Sequence, residues 1–137
     1  MFTRQRDERG ASAIEMAIVA PSFLLFIFTI VEVALWMHAH DVAIASAREG
    51  VATIRTVSTL DSGPGLESDV EVVAEDYATR LGAIQTPQAV AVYDPDAYRV
   101  TVTVDGSVVD LIPGWDLSVS GSASGLIEDF QPDLGPP

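Results

Sequence analysis

RGASAIE at positions 9–15 runs directly into MAIVAPSFLLFIFTIVEVALWM at positions 16–37, and this junction decides how the chain is built. The second stretch carries a single charge, Glu32. It is long enough to cross a ~30 Å hydrocarbon core at ~1.5 Å of helix rise per residue. An ordinary secretory leader has its processing site after the apolar run. Here the distinctive residues, Gly10 and Glu15, come before it. That order suits a leader whose basic head is removed while the hydrophobic helix stays, which describes an assembly component and not an enzyme. Glu15 and Glu32 are about 26 Å apart along a helix axis, so the two acids fall near the two edges of a bilayer. Glu32 thus reads as a water-edge residue. Pro21 lies in the second or third turn of the span, where it removes a backbone donor and loosens or kinks the rod.

Working outward, Ile44, Ala47, Val51 and Ile54 recur at helical spacing. They extend one helix from about Ser12 to about Ser58. Gly50 weakens this helix without ending it, and Asp61-Ser-Gly-Pro-Gly65 breaks it. A second, amphipathic helix follows. Ser68 and Glu71 are spaced as a capping box, Val70, Val73, Tyr77 and Leu81 form the expected buried stripe, and Gly82 is the expected stop. Ala89–Tyr93, Tyr98–Val104 and Leu117–Ala123 alternate as strands, with Val100, Val102 and Val104 on one face. Asp94-Pro95-Asp96-Ala97 forms the first turn, and Asp105-Gly106 ends the second strand. The apolar loop Val108–Trp115, containing Pro113, leads into the third strand. The expected fold class is therefore α+β: a long N-terminal transmembrane helix continuing outside the membrane, a second helix and a small antiparallel sheet of about three strands. The expected divisions are a cytoplasmic basic leader over 1–10, a transmembrane helix over 11–37, an extracytoplasmic α+β domain over 38–127 and a disordered tail over 128–137.

Charge supplies the orientation. Arg4, Arg6 and Arg9 precede the span, whereas from His38 onward sixteen acids face only Arg48, Arg55, Arg80 and Arg99. Positive residues on the N-terminal flank alone predict a cytoplasmic N-terminus. The acidic remainder repels nucleic acid, so no nucleic-acid contact is expected. The chain has no cysteine, which excludes disulfides and thiol chemistry. His38 and His40, two apart on a helix, do not face each other. With Trp36 they read as an interfacial belt, not as a metal site. Asp94 and Asp96 lack the glycine and terminal glutamate of a calcium loop. No catalytic residues, metal or cofactor are expected.

Three places in the chain carry a resemblance to a known family. Gly10-Ala-Ser-Ala-Ile-Glu15 is placed like a prepilin peptidase site, with glutamate fifth in the mature chain. Glu15-Met-Ala-Ile-Val-Ala-Pro21 is similar to a glutamate-to-proline stretch, and Ala47-Arg-Glu-Gly50 is similar to an Ala-Arg-Glu-Gly signature. In these features the chain resembles the TadE-like minor pilins (pseudopilins) of the tight-adherence (Tad, or Flp) pilus system. The resemblance implies cleavage between Gly10 and Ala11 by a membrane prepilin peptidase. It also implies a helix-packing and assembly role for Glu15, Pro21, Arg48, Glu49 and Gly50. The function implied is support of pilus assembly, adhesion or related type II/IV-like secretion. TadF-like and TadG-like subunits, the major Flp pilin and the Tad membrane platform would be its partners. Two other readings stay open on the residues alone. One is a signal-anchored extracytoplasmic binding module outside any pilus. The other is a secreted protein cut at Ala43-Ile-Ala45 or Ala45-Ser-Ala47.

Overall fold

The computed structural model describes residues 5–57 and 66–126; the breaker at 61–65 and the tail from Glu128 lie outside them. The first element, α1, is one helix from Gln5 to Val57, about 80 Å long at ~1.5 Å per residue. It begins before the expected Ser12 and runs through Gly10 and Ala11. Its C-terminal half follows the expected stripe: Ala47, Val51 and Ile54 are buried and Ile44 is half-buried. Ala39, Val42 and Ala43 extend that buried face toward the N-terminus.

The second helix, α2, spans Leu66–Leu81. Because it starts at Leu66, Ser68 lies inside the first turn and is not the cap, and Glu71 is engaged elsewhere. The buried stripe also differs from the expected one. It consists of Val70, Ala74 and Ala78, while Val73 and Tyr77 are only half-buried and Leu81 is exposed. Close approach to α1 selects small side chains over large apolar ones. A Cβ on Gly50 would meet Ala74 Cβ at 3.2 Å and Val70 Cγ1 at 3.3 Å, so the two helices cross at glycine and alanine. Gly82 ends α2 as expected, with φ +69° and its N–H donating to the Ala78 carbonyl at 3.2 Å.

Three strands follow, β1 (Gln85–Asp94), β2 (Arg99–Ser107) and β3 (Ser118–Leu126), in one antiparallel sheet of order β1-β2-β3. The turn at 95–98 forms as expected, with Asp94 Oδ1 accepting from the N–H groups of Asp96 and Ala97. Asp105-Gly106 does not end β2. The strand continues to Ser107, and Gly106 pairs with Val119. Glycine is required there because any Cβ would run into the Ile84 side chain. Pro87 sits at the register shift between Gln85 and Gln88, on an edge strand where its missing donor is tolerated.

Val100, Val102 and Val104 lie on the inner face as expected, buried with Ala89, Ala91 and Val119 against the two helices. The fold is α+β in two layers, with both helices on one face of the sheet.

Candidate functional site

The N-terminal part of α1 is bare. From Ser12 to Val31 almost every side chain is exposed, including Ile14, Phe23, Leu24, Phe26 and Phe28. This is the one candidate membrane span among the described residues, with mean hydropathy 2.4 in its most apolar window. The bare length is about 30 Å, equal to a hydrocarbon core. Within it, Ser22 Oγ donates to the Ile18 carbonyl and Thr29 Oγ1 to the Leu25 carbonyl. These bonds pair both hydroxyls of the apolar run 16–31 with the helix's own carbonyls, as a lipid-facing helix requires. Glu15 and Pro21 are exposed on this rod, and the helix continues through the proline. Gly10 and Ala11 lie in the same helix, one turn before Glu15.

The domain grips the helix immediately beyond this bare segment. Glu32 is wholly buried, and its Oε2 accepts the Leu111 N–H at 2.8 Å. Its Oε1 is also buried and has no hydrogen-bond partner among the described residues. The Glu32 side chain is therefore shut off from water, because the apolar loop after β2 folds over it. One turn further on, Trp36 Nε1 donates to the Ser118 carbonyl at 3.0 Å, and the indole stacks on His40 with centroids 5.6 Å apart. Trp36 thus ties β3 to the helix, with His40 stacked behind its indole; His38 stays exposed. No periodicity announces the Glu32 contact, since its partner is 79 residues away. The only sequence signal was an acid in an apolar run and a loop too apolar to be solvated.

In Ala47-Arg-Glu-Gly50 the four residues divide between core and surface. Ala47 and Gly50 are buried, Gly50 at the helix crossing, while Arg48 and Glu49 face outward. The Arg48 side chain makes no hydrogen bond or ion pair among the described residues. It borders an open cleft of about 220 Å³ with Val51, Ala52, Ala123 and Ser124. Behind that cleft β3 lies directly on α1. A Cβ on Gly121 would come within 2.5 Å of Ile44 N and 2.6 Å of the Ala43 carbonyl carbon.

Residue-by-residue sequence reasoning missed a ladder of acids. Glu75 and Glu71 accept the N–H groups of Ala89 and Ala91, each at 2.9 Å, and Glu67 accepts that of Tyr93 at 3.2 Å. Four-residue spacing on α2 matches two-residue spacing on β1, so one helix face satisfies the outward donors of an edge strand. The sequence signal was the i, i+4, i+8 run of glutamates beside a strand. Glu71 belongs to this ladder, which is why it does not complete a capping box.

Among the described residues no group of three or more His, Asp or Glu side chains is arranged to hold a metal. No curated protein and no solved structure gives a match. The segment holding Gly10, Glu15, Pro21 and Ala47–Gly50 does have a counterpart: residues 10–52 match the family model described as TadE-like protein, a likeness that covers the bare apolar length and the part of α1 that carries the domain.

Proposed function

We propose that this chain is a membrane-anchored minor pilin (pseudopilin) that supports assembly of a Tad (Flp) pilus, with adhesion or a related secretion process as its output. The carrying observation is the unbroken helix: a bare apolar length of one bilayer continues without a joint into the stem of a small α+β domain. The TadE-like match covers that same helix. Arginines on the N-terminal flank and acids beyond favour a single pass with a cytoplasmic N-terminus and an extracytoplasmic domain.

In this reading a prepilin peptidase cuts between Gly10 and Ala11 and removes Arg4, Arg6 and Arg9, the positive anchor at the cytoplasmic face. Glu15 then lies one turn from the new amine of Ala11, or meets that of an adjacent subunit, and the pairing sets axial register in low dielectric. Arg48 and Glu49 offer a charged outer face to neighbouring helices. TadF-like and TadG-like subunits, the major Flp pilin and the Tad membrane platform are the proposed partners.

N-terminal sequencing of the protein recovered from its native envelope tests the reading. Ala11 is expected; Met1 or Phe2 would make it a plain signal anchor, and Ser46 or Arg48 a secreted domain. A Gly10→Ala variant should accumulate uncut, and deletion of the gene should reduce surface pili.

A further inference from the structure

The loop between β2 and β3 does not resemble a solvated connection. Loops over a water-facing surface are polar, yet this one reads Val109-Asp-Leu-Ile-Pro-Gly-Trp-Asp116. Val109, Leu111 and Trp115 are 48, 41 and 46 % exposed. The loop is held in shape. Val108 N–H donates to the Leu117 carbonyl at 3.0 Å, closing its neck, and Asp110 Oδ1 accepts the Leu117 N–H at 3.3 Å. Gly114, with φ +93°, makes the reversal at its tip.

Its position along α1 is fixed at both ends. Glu32 holds the Leu111 N–H and Trp36 holds the Ser118 carbonyl, so the loop is pinned over one turn of helix, about 6 Å of rise. That turn starts where the bare apolar length ends. Val33 and Met37 are exposed on the same part of the helix. Aromatic and apolar side chains at this depth mark a membrane–water boundary.

We propose that the loop Val108–Leu117 is a membrane-contacting foot: Val109, Leu111 and Trp115 enter the outer boundary of the same bilayer that α1 crosses. The assignment rests on α1 being a span. The foot sets how deep the helix sits. The bilayer ends at Glu32, which the foot covers with a backbone donor where a bare carboxylate would meet lipid. Asp110 and Asp116 lie on the loop itself, and the domain above is acidic. The foot therefore suits a zwitterionic boundary and gains nothing from anionic headgroups.

The absence of cysteine makes the test clean. Single cysteines are introduced into the full chain at Leu24 in the bare span, Val109 in the foot and Val92 on the outer face of the sheet. All three positions are exposed. Each variant is labelled with a fluorophore and reconstituted in phosphatidylcholine vesicles, with and without chains brominated near the headgroup or near the chain end. The Val109 label should lose on the order of half its emission to the shallow bromine, because interfacial apolar groups sit ~5–10 Å into the boundary. The Leu24 label should be quenched by the deep bromine and the Val92 label by neither. Adding phosphatidylglycerol should not increase the Val109 quenching.

Quenching at Leu24 without quenching at Val109 overturns the foot and leaves the span standing. No quenching at either position overturns both. An unlabelled Val109→Cys protein that forms a disulfide with a second copy, while its label stays unquenched by lipid, also overturns the foot and assigns the face to a subunit contact. Loss of quenching in a Leu111→Asp, Trp115→Asp variant, with the Leu24 signal intact, is the further expected result.

Discussion

Gly121 and Gly50 are both buried against α1, and replacing each with alanine separates two kinds of close packing. At Gly121 the added methyl meets main chain: Ile44 N at 2.5 Å, the Ala43 carbonyl carbon at 2.6 Å and Ala43 Cβ at 2.8 Å. None of these atoms can rotate away. Ordinary contact at ~3.5–4.0 Å requires β3 and α1 to part by about 1 Å, and such a gap forfeits a quarter to a half of each contact's attraction. Val119 and Ala123 flank the site on β3, so the loss spreads along the strand. Overpacking of this kind costs about 2–3 kcal/mol. For a domain of this size that lowers Tm by roughly 8–24 °C.

At Gly50 the new methyl meets side-chain atoms at 3.2–3.4 Å, which yield by a few tenths of an ångström. Alanine also gains ~0.8–1 kcal/mol over glycine in a helix interior, so Gly50→Ala should stay within about 1 kcal/mol of the parent. Ser122→Ala, on the exposed face of β3, is the control and should stay within about 0.5 kcal/mol. The assay is heating of the full chain in detergent micelles, followed by tryptophan emission; Trp36 reports on β3 directly through its bond to Ser118. A Gly121→Ala protein melting within about 2 °C of the parent, or a Gly50→Ala protein melting more than about 8 °C below it, would refute the reasoning.

Other substitutions test the polar contacts. Glu71→Ala removes the acceptor of the Ala91 N–H and should cost about 1–2 kcal/mol, with faster hydrogen exchange at Ala91, whereas Glu71→Gln keeps an acceptor and should be milder. Glu32→Ala leaves the Leu111 N–H without its partner; a loss of about 1–3 kcal/mol and of exchange protection at Leu111 is expected, and unchanged protection would show that the loop is held by other contacts. Gly106→Ala should cost about 1–3 kcal/mol as overpacking, because Ile84 must repack and the Gln85 carbonyl lies 3.1 Å from the new methyl; a melting temperature equal to the parent's would count against a filled site.

The elements were legible where burial and periodicity coincide. The bare span, the Ala47–Val51–Ile54 stripe and the alternation of Val100, Val102 and Val104 all carry the hydrophobic pattern of their final environment. The pattern misled where distance between backbones mattered more than apolarity. Val73 and Tyr77 are more hydrophobic than Ala74 and Ala78, yet the α1–α2 crossing admits only the smaller pair. Asp105-Gly106 has the composition of a turn, but its glycine makes room for Ile84 inside a strand. Glu32 was invisible as a buried group because its cover comes from a distant loop, and local sequence carries no record of such a contact. Of the candidate site, Gly10, Glu15 and Pro21 stand out by order and spacing before the apolar run. The solvent-facing pair Arg48–Glu49 is marked by family resemblance and not by any contact in the fold.

The bonds at Glu32 and Trp36, and the packing that continues to Ile54, make the upper helix and the domain a single lever. Among the described residues no pivot separates the bare rod from the domain, because the grip begins where the rod ends. Pro21, with its missing backbone bond, is the weakest point of the shaft and lies within the bare apolar length. From Pro21 to Ile54 the arm measures about 50 Å, so a tilt of ~20°, ordinary for a spanning helix, carries the far end sideways by about 17 Å. In the proposed arrangement the direction in which the domain points is therefore decided along the apolar length: a small rotation of that segment becomes a far larger displacement at the domain end of the helix.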